Sequence, residues 1–254
     1  MTGTPFKLGW TPDLPDNRDF KFESHVAVVS PSVRLVWVPG ALHQGALGSC
    51  VANAISGSIQ YNRIKQRKAH AWNLSRLFTY YNAREVRGWE AIDSGAYIRD
   101  GIKSTASQGT VNEDDWPYDV NKFAERPPQS CYDQALKDQS ILYQRIGLDS
   151  NGLNSVADMK SCLASDFPFV FGFTLYNDFA WNDRNGEVQM PGRGSYTVGG
   201  HAVLCVGYDD GAQRFEFLNS WGKQWGKLGR GTIPYEYLAN PGLSDDFWTI
   251  NLVE

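Results

Sequence analysis

The sequence predicts an α+β fold in which a mainly helical first half and a strand-rich second half meet along a cleft. Two patterns carry that prediction. Apolar residues recur at three- to five-residue steps through Val51, Ala54, Ile55, Ile59 and Ile64, the spacing of a one-faced helix. Well beyond Tyr118, Phe169 to Leu175, Ala202 to Tyr208 and Arg214 to Leu218 are short apolar and aromatic runs with Gly between them, the mark of strands. A chain of 254 residues can bury one large core or two lobes with a shared interface. Helices followed by strands at this size place a cleft between the lobes as the natural site.

Taken in order, residues 1–30 form an irregular arm, punctuated by Pro5, Pro12 and Pro15, with turn chemistry in Leu14-Pro15-Asp16-Asn17-Arg18-Asp19. Val33 to Val38 is a short strand ended by Pro39-Gly40. A helix is expected from Cys50 to about Lys68 and a second from the cap Ser75 toward Val86. A third should run from Ala96 to Ser107 and stop before Gly109. Phe247 to Leu252 should close the sheet. The expected division is the arm 1–30 and a domain 31–254, its helical lobe about 45–130 and its β lobe about 131–254 plus 31–44.

Composition narrows the function classes. Net charge is −4, and the densest basic group, Arg63, Lys65, Arg67 and Lys68, reads as the solvated end of a helix and not as a nucleic-acid stripe. No apolar run approaches the roughly 18 residues that span a bilayer, so membrane insertion is not expected. The first ten residues do not read as a signal peptide. The compartment stays open: soluble, and secreted or periplasmic if a leader has been removed. Four cysteines without a C-x-x-C pair make a zinc site unexpected. Cys205 should be a buried thiol; Cys131 and Cys162 either pair or stay free.

Chemistry concentrates in three segments. Gln44-Gly45-Ala46-Leu47-Gly48-Ser49-Cys50 delivers a thiol to the first turn of a helix, whose dipole and free N–H groups favour an anion. That position should lower the thiol pKa. The Cys50 N–H and the Gln44 side-chain amide are two donors for a developing oxyanion. Gly199-Gly200-His201 opens a strand that runs to Tyr208, and Arg214 to Asn219 returns. With a hairpin turn centred on Asp210, His201 falls opposite Asn219, whose amide oxygen would orient the imidazole and leave its other nitrogen for Cys50. His25, His43 and His70 have no comparable setting and read as structural or exposed.

At these residues the sequence resembles the papain family of cysteine peptidases. The likeness takes in Gln44 to Ala54, Asp93-Ser94-Gly95-Ala96, Trp116-Pro117-Tyr118, Gly199 to Tyr208 and Asn219-Ser220-Trp221-Gly222. It implies a two-lobed papain-like fold, with a helical left lobe, an antiparallel barrel-like right lobe and the cleft between them. It implies Cys50 as nucleophile, His201 as general base and acid, Asn219 as its orienter and Gln44 as oxyanion donor. It also implies that Trp221 shields the His–Asn bond and that Ser94 and Gly95 stand where the family pairs with substrate backbone. Gly200, with Gly172 and Gly199, would line a non-primed pocket. Leu47 and Val51 replace the family's Cys and Trp beside the nucleophile, so the disulfide anchored there is absent. The arm and the Leu-Gly-Ser-Cys core resemble divergent bacterial, xylellain-like members.

The expected reaction is hydrolysis of a peptide or protein substrate through an acyl-enzyme, needing neither metal nor organic cofactor. Two other classes remain in view: a silent regulatory or binding protein on a peptidase scaffold, and acyl transfer to an amine, against which Asn-Ser-Trp-Gly speaks. The arm has two readings, across the cleft as a restraint or packed on the back of a lobe.

Overall fold

The computed structural model describes residues 6–23, 29–67, 73–179 and 184–253; His25, His70 and Lys68 lie outside them. The helices are α1 (Cys50–Lys65), α2 (Arg76–Glu85), α3 (Ile98–Gln108), α4 (Gln129–Ala135), α5 (Val156–Ala164) and α6 (Tyr235–Ala239). The strands are β1 (Ser32–Arg34), β2 (Ser140–Arg145), β3 (Phe169–Tyr176), β4 (Thr197–Asp209), β5 (Arg214–Leu218), β6 (Arg230–Pro234) and β7 (Ser244–Val253). All pairings between these strands are antiparallel, in the order β2-β7-β3-β4-β5-β6, with β1 on β4. This is the α+β architecture that the change of periodicity predicts.

Local chemistry explains the ends. Ser75 caps α2, its hydroxyl accepting from the Phe78 N–H at 3.1 Å. Gly109 ends α3 at a φ of 80°, where a side chain would be strained. The strand expected over Val33 to Val38 is shorter, because Val36 and Trp37 turn outward and are exposed. Helices α4, α5 and α6 and strands β2 and β6 escaped the sequence reading, since segments of five to nine residues carry too little period.

The hairpin register also differs from expectation. The β4–β5 turn is longer, with Asp209 opposite Arg214, and a bulge lies between Cys205 and Gly207. His201 therefore pairs with Phe173 of β3, and Asn219 lies just beyond the end of β5. Of the basic cluster, Arg67 is exposed and Lys65 partly so, as expected of a solvated helix end, but Arg63 is not. Arg63 is 1 % exposed and reaches Thr110 Oγ1 and Asp138 Oδ1, both at 2.9 Å. All four cysteines are buried free thiols, which leaves Cys131 and Cys162 unpaired.

One core joins α1, α2 and α3 to the inner residues of β4 and β7; a second fills the far side of the sheet with Phe169, Phe171, Phe173, Phe215 and Phe217. Helix α3 crosses α1 at Gly101, where a methyl group would lie 2.5 Å from Ile55 Cδ1. The arm completes the molecule. Residues 20–22 bond to Arg145 at the exposed edge of β2, with Phe22 N on Arg145 O at 2.8 Å. Arg99 and Arg145 gather Asp19, and Arg145 also holds Asp245 and Asp246.

Arg84 is a second tie, fully buried in α2. Its guanidinium donates to the carbonyls of Glu90 and Ile92 at 2.8 and 2.7 Å and to that of Phe123. Bonds from a buried guanidinium to backbone carbonyls are charge-assisted and stronger than neutral ones, and the guanidinium has no water to replace them. Arg84→Met should lower the free energy of unfolding by about 3 kcal/mol, read as a shift in urea midpoint at constant slope.

Candidate active site

Helix α1 begins at Cys50, and its first turn faces β4. The Cys50 sulfur is buried beside the backbone N–H groups of Ala202, the residue after His201, and of Gly9 in the arm. The junction of α1 and β4 thus brings the thiol to the strand that carries the imidazole.

His201 is wholly buried. Its Nε2 lies 2.8 Å from Asn219 Oδ1, which also accepts from the Ser220 N–H at 2.8 Å. An oxygen that already takes a backbone N–H can only accept, so Nε2 carries the proton and Nδ1 keeps its lone pair. Nδ1 has no hydrogen-bond partner among the described residues. The Trp221 ring stacks on the imidazole at 4.5 Å between centroids, and Phe173 meets it edge-on at 5.8 Å. Asn219 reaches His201 from beyond the strand end, a geometry that index arithmetic on the hairpin could not supply.

Gln44 is fixed from both sides. Its Oε1 accepts from the Ser220 hydroxyl at 2.7 Å, and its backbone N–H donates to Ser220 O at 2.8 Å. The amide NH₂ is thereby aimed at the Leu47 carbonyl, 2.8 Å away, and at the carbonyl of Lys7, 2.9 Å away. Lys7 belongs to the arm, and residues 6–11 run on past Trp221, Gln44, Gly200 and Ala96. Phe6 stacks on Trp221 at 4.6 Å and meets the His43 ring at 5.8 Å. Gly9 N donates to Gly200 O at 3.1 Å, Ala96 N donates to Gly9 O at 2.8 Å and Thr11 N donates to Ala96 O at 3.3 Å. That last pair makes a parallel bridge between Trp10 and Ala96.

Trp10 fills the pocket beyond. A methyl group at Gly172 would sit 1.9 Å from its ring, so only glycine leaves the room. Its Nε1 donates to Asp246 Oδ2 at 3.0 Å, and Asp13 N donates to the same oxygen at 2.8 Å. Gly200 also lies against Trp10, and Gly199 against Leu8. Ser94 and Gly95 form the wall beside Gly9, but the backbone pairing is made one residue on, by Ala96. His43, which has no motif around it, is a cleft residue whose Nδ1 accepts from Gly45 N at 2.8 Å.

Under the arm both reactive groups are kept neutral. Burial pushes the Cys50 thiol up to about 11 and outweighs the N–H groups around it. Burial likewise pushes His201 down to about 4, against the Asn219 hydrogen bond. The lowered thiol pKa expected from the helix N-terminus is therefore not found with the arm in place; desolvation wins. Among the described residues, no group of three or more His, Cys, Asp and Glu could hold a metal ion, and no helix is long and apolar enough to cross a membrane.

Comparison with known proteins shows the family. A family model described as papain family cysteine protease matches residues 34–237. A peptidase C1-like protein of Acanthamoeba polyphaga mimivirus is 40% identical over 97% of this chain and 87% of its own length. A cathepsin B-like protein of Giardia intestinalis is 31% identical over 76% of this chain and 63% of its own length. The crystal structure of xylellain, a cysteine protease from Xylella fastidiosa, is 37% identical and superposes with a TM-score of 0.89 over 100% of this chain and 99% of that one. With the nucleophile segment, the His strand and the Asn-Ser-Trp-Gly turn all inside the matched span, this chain belongs to the papain family of cysteine proteases.

Proposed function

We propose that this protein cleaves internal peptide bonds with Cys50, His201, Asn219 and Gln44, and that residues 6–11 are its own restraint. The observation that carries the chemistry is the oriented imidazole: Nε2–H is held by Asn219 Oδ1, and Nδ1 has no hydrogen-bond partner among the described residues. In the reaction the Cys50 proton passes to Nδ1 and the sulfur attacks the substrate carbonyl carbon. The oxygen becomes an oxyanion that accepts from Gln44 Nε2 and the Cys50 N–H. His201 returns its proton to the departing amine, and the C–N bond breaks to leave a thioester. Water then gives a proton to His201, attacks the thioester and releases the acid, restoring the thiol.

Cleavage within chains is supported by the course of the arm, which passes Gln44 with residues on either side, from Phe6 at Trp221 to Trp10 at Gly172. A cleft open at both ends suits an internal bond. The restraint is supported by the same contacts, since the Lys7 carbonyl sits on the oxyanion donor. Ser94, Gly95, Gly200 and Trp221 are assigned to substrate on the ground that they border the arm there.

Three measurements test this reading. In the full chain, Cys50→Ala should abolish cleavage of a peptide library and His201→Ala should lower kcat/KM by roughly 10²–10⁴-fold; retained turnover in either removes the assignment. Trp10→Ala, which empties the pocket that holds the arm, should raise kcat/KM about tenfold or more at unchanged substrate concentration. Turnover equal to the parent would reject the restraint. The thiolate is the nucleophile, and an acid raised to about 11 gains tenfold more anion with each pH unit below that value. Iodoacetamide labelling of Cys50 should therefore climb steadily from pH 7 to 10 with the arm in place. A plateau near neutrality would contradict it.

A further inference from the structure

Trp116-Pro117-Tyr118 carries part of the family likeness, yet the chemistry above gives Tyr118 no task. Its hydroxyl lies against the nucleophile loop, where it donates to the Gln44 carbonyl at 2.8 Å and meets the Ser49 hydroxyl. Residues 44 and 49 bracket that loop, so one oxygen ties both of its ends. Ser49 is the N-cap residue of α1, a place where serine usually accepts from an N–H two or three positions on. Here it makes no such bond, and its oxygen instead accepts from Asn53 Nδ2 at 3.2 Å. The first-turn N–H groups of α1 are thus not consumed by the cap, and those of Cys50 and Val51 lie beside the Cys50 sulfur.

The protons run one way. A carbonyl can only accept, so the single Tyr118 proton is committed to Gln44, and Ser49 must donate to Tyr118 Oη. Burial pushes the Tyr118 hydroxyl above its ordinary value, which keeps that proton in place. Asn53 to Ser49, Ser49 to Tyr118 and Tyr118 to Gln44 form one chain whose members polarise each other. The rest of Tyr118 is held by other contacts. The Arg76 guanidinium lies 4.0 Å over its ring, and Glu113 Oε1 accepts from Tyr118 N and from Arg76 Nη2, both at 3.1 Å. Arg76 Nη1 also donates to Asn53 Oδ1 at 3.0 Å and so orients the start of the chain. Removal of the hydroxyl alone therefore leaves the ring and backbone where they are.

We propose that Tyr118 is a positioning residue of the oxyanion site, its hydroxyl fixing the span between Gln44 Nε2 and the Cys50 N–H. The inference rests on the peptidase reading of those two donors and adds the residue that sets their separation. Gln44 is held on one side by Ser220, and the Cys50 N–H belongs to the peptide that Ser49 begins. Between them lies a loop with glycine at 45 and 48, and Gly45 has a φ of 62°. Glycine gives such a loop more backbone freedom than other residues do. A misplacement of about 1 Å at a reacting centre can cost about 10²-fold in rate, so a donor pair on this loop needs a tie between its ends.

The test compares the full chain with Tyr118→Phe in two reactions of Cys50. Peptide cleavage develops charge on a carbonyl oxygen, whereas alkylation by iodoacetamide forms an S–C bond, releases iodide and asks nothing of the oxyanion donors. The fraction of molecules with the arm displaced and the fraction of thiolate scale both reactions alike and cancel from their ratio. In Tyr118→Phe, kcat should fall about tenfold at unchanged KM, the mark of an interaction made in the transition state alone. Alkylation should stay within about twofold of the parent. A ratio of cleavage to alkylation equal to the parent's overturns the proposal, whether both rates hold or both fall, and so does a loss confined to KM. If the parent cleaves no peptide, the peptidase reading fails by itself. A peptidyl nitrile then reads the donor pair. The Cys50 sulfur bonds to the nitrile carbon, the thiol proton passes to the nitrogen, and the thioimidate nitrogen takes the place of the oxyanion. Its affinity relative to the alkylation rate should fall about tenfold in Tyr118→Phe. An unchanged quotient, or no uptake of the nitrile by the parent chain, overturns the proposal.

Discussion

The packing of α1 against β4 is the constraint on which the rest of the molecule depends. The helix supplies a sulfur at its first residue and the strand supplies an imidazole at a core position. Burial alone would leave both inert, and burial is what the surrounding phenylalanines and tryptophans impose. The arrangement becomes chemical because each polar group has one fixed neighbour. Asn219 holds one nitrogen of His201, and Ser220 holds Asn219 and Gln44 together. A single four-residue turn, Asn219 to Gly222, thereby orients the His201 imidazole, the Gln44 amide and the Trp221 ring that stacks on the imidazole. Such preorganisation is worth more in a dry site than in water, because nothing needs to reorient as charge develops.

The arm belongs to the same electrostatic scheme. It fills the pocket with Trp10, covers the ring of Trp221 with Phe6 and sets a carbonyl on Gln44. Its onward course is held by charge: Arg99 and Arg145 bind Asp19, and Arg145 also binds Asp245 and Asp246. The molecule with its cleft filled is therefore a desolvated one, in which thiol and imidazole are both shifted toward their neutral forms. An ion pair of thiolate and imidazolium needs water or a substrate dipole that the covering arm excludes.

No disulfide braces this fold, and all four cysteines are free. Buried charged and polar side chains serve instead: Asp93 ties the Gly48 backbone to the neighbouring wall through Tyr80, and Arg84 gathers three carbonyls from the loop before that wall and from Phe123. Ties of this kind are specific but unforgiving, since removal of one member strands buried partners.

The sequence by itself determined the class of elements and the family to which the chain belongs. A helix from Cys50, a cap at Ser75 and a stop at Gly109 follow from local chemistry, which needs no knowledge of the rest of the chain. The segments around Cys50, His201 and Asn219 stood out because each is rich in glycine and has its own spacing. What local pattern cannot encode is which long-range contact wins. It put Asn219 across a hairpin from His201, and a bulge with a longer turn moved it to the strand end. It predicted an acidified thiol from the helix dipole, and burial of the sulfur reversed the sign. It left the arm with two courses and Tyr118 with no task, because both depend on residues more than 40 positions apart meeting. Only the tertiary structure decides such matters, since desolvation and ion pairing are properties of the place where side chains meet and not of the segment that carries them.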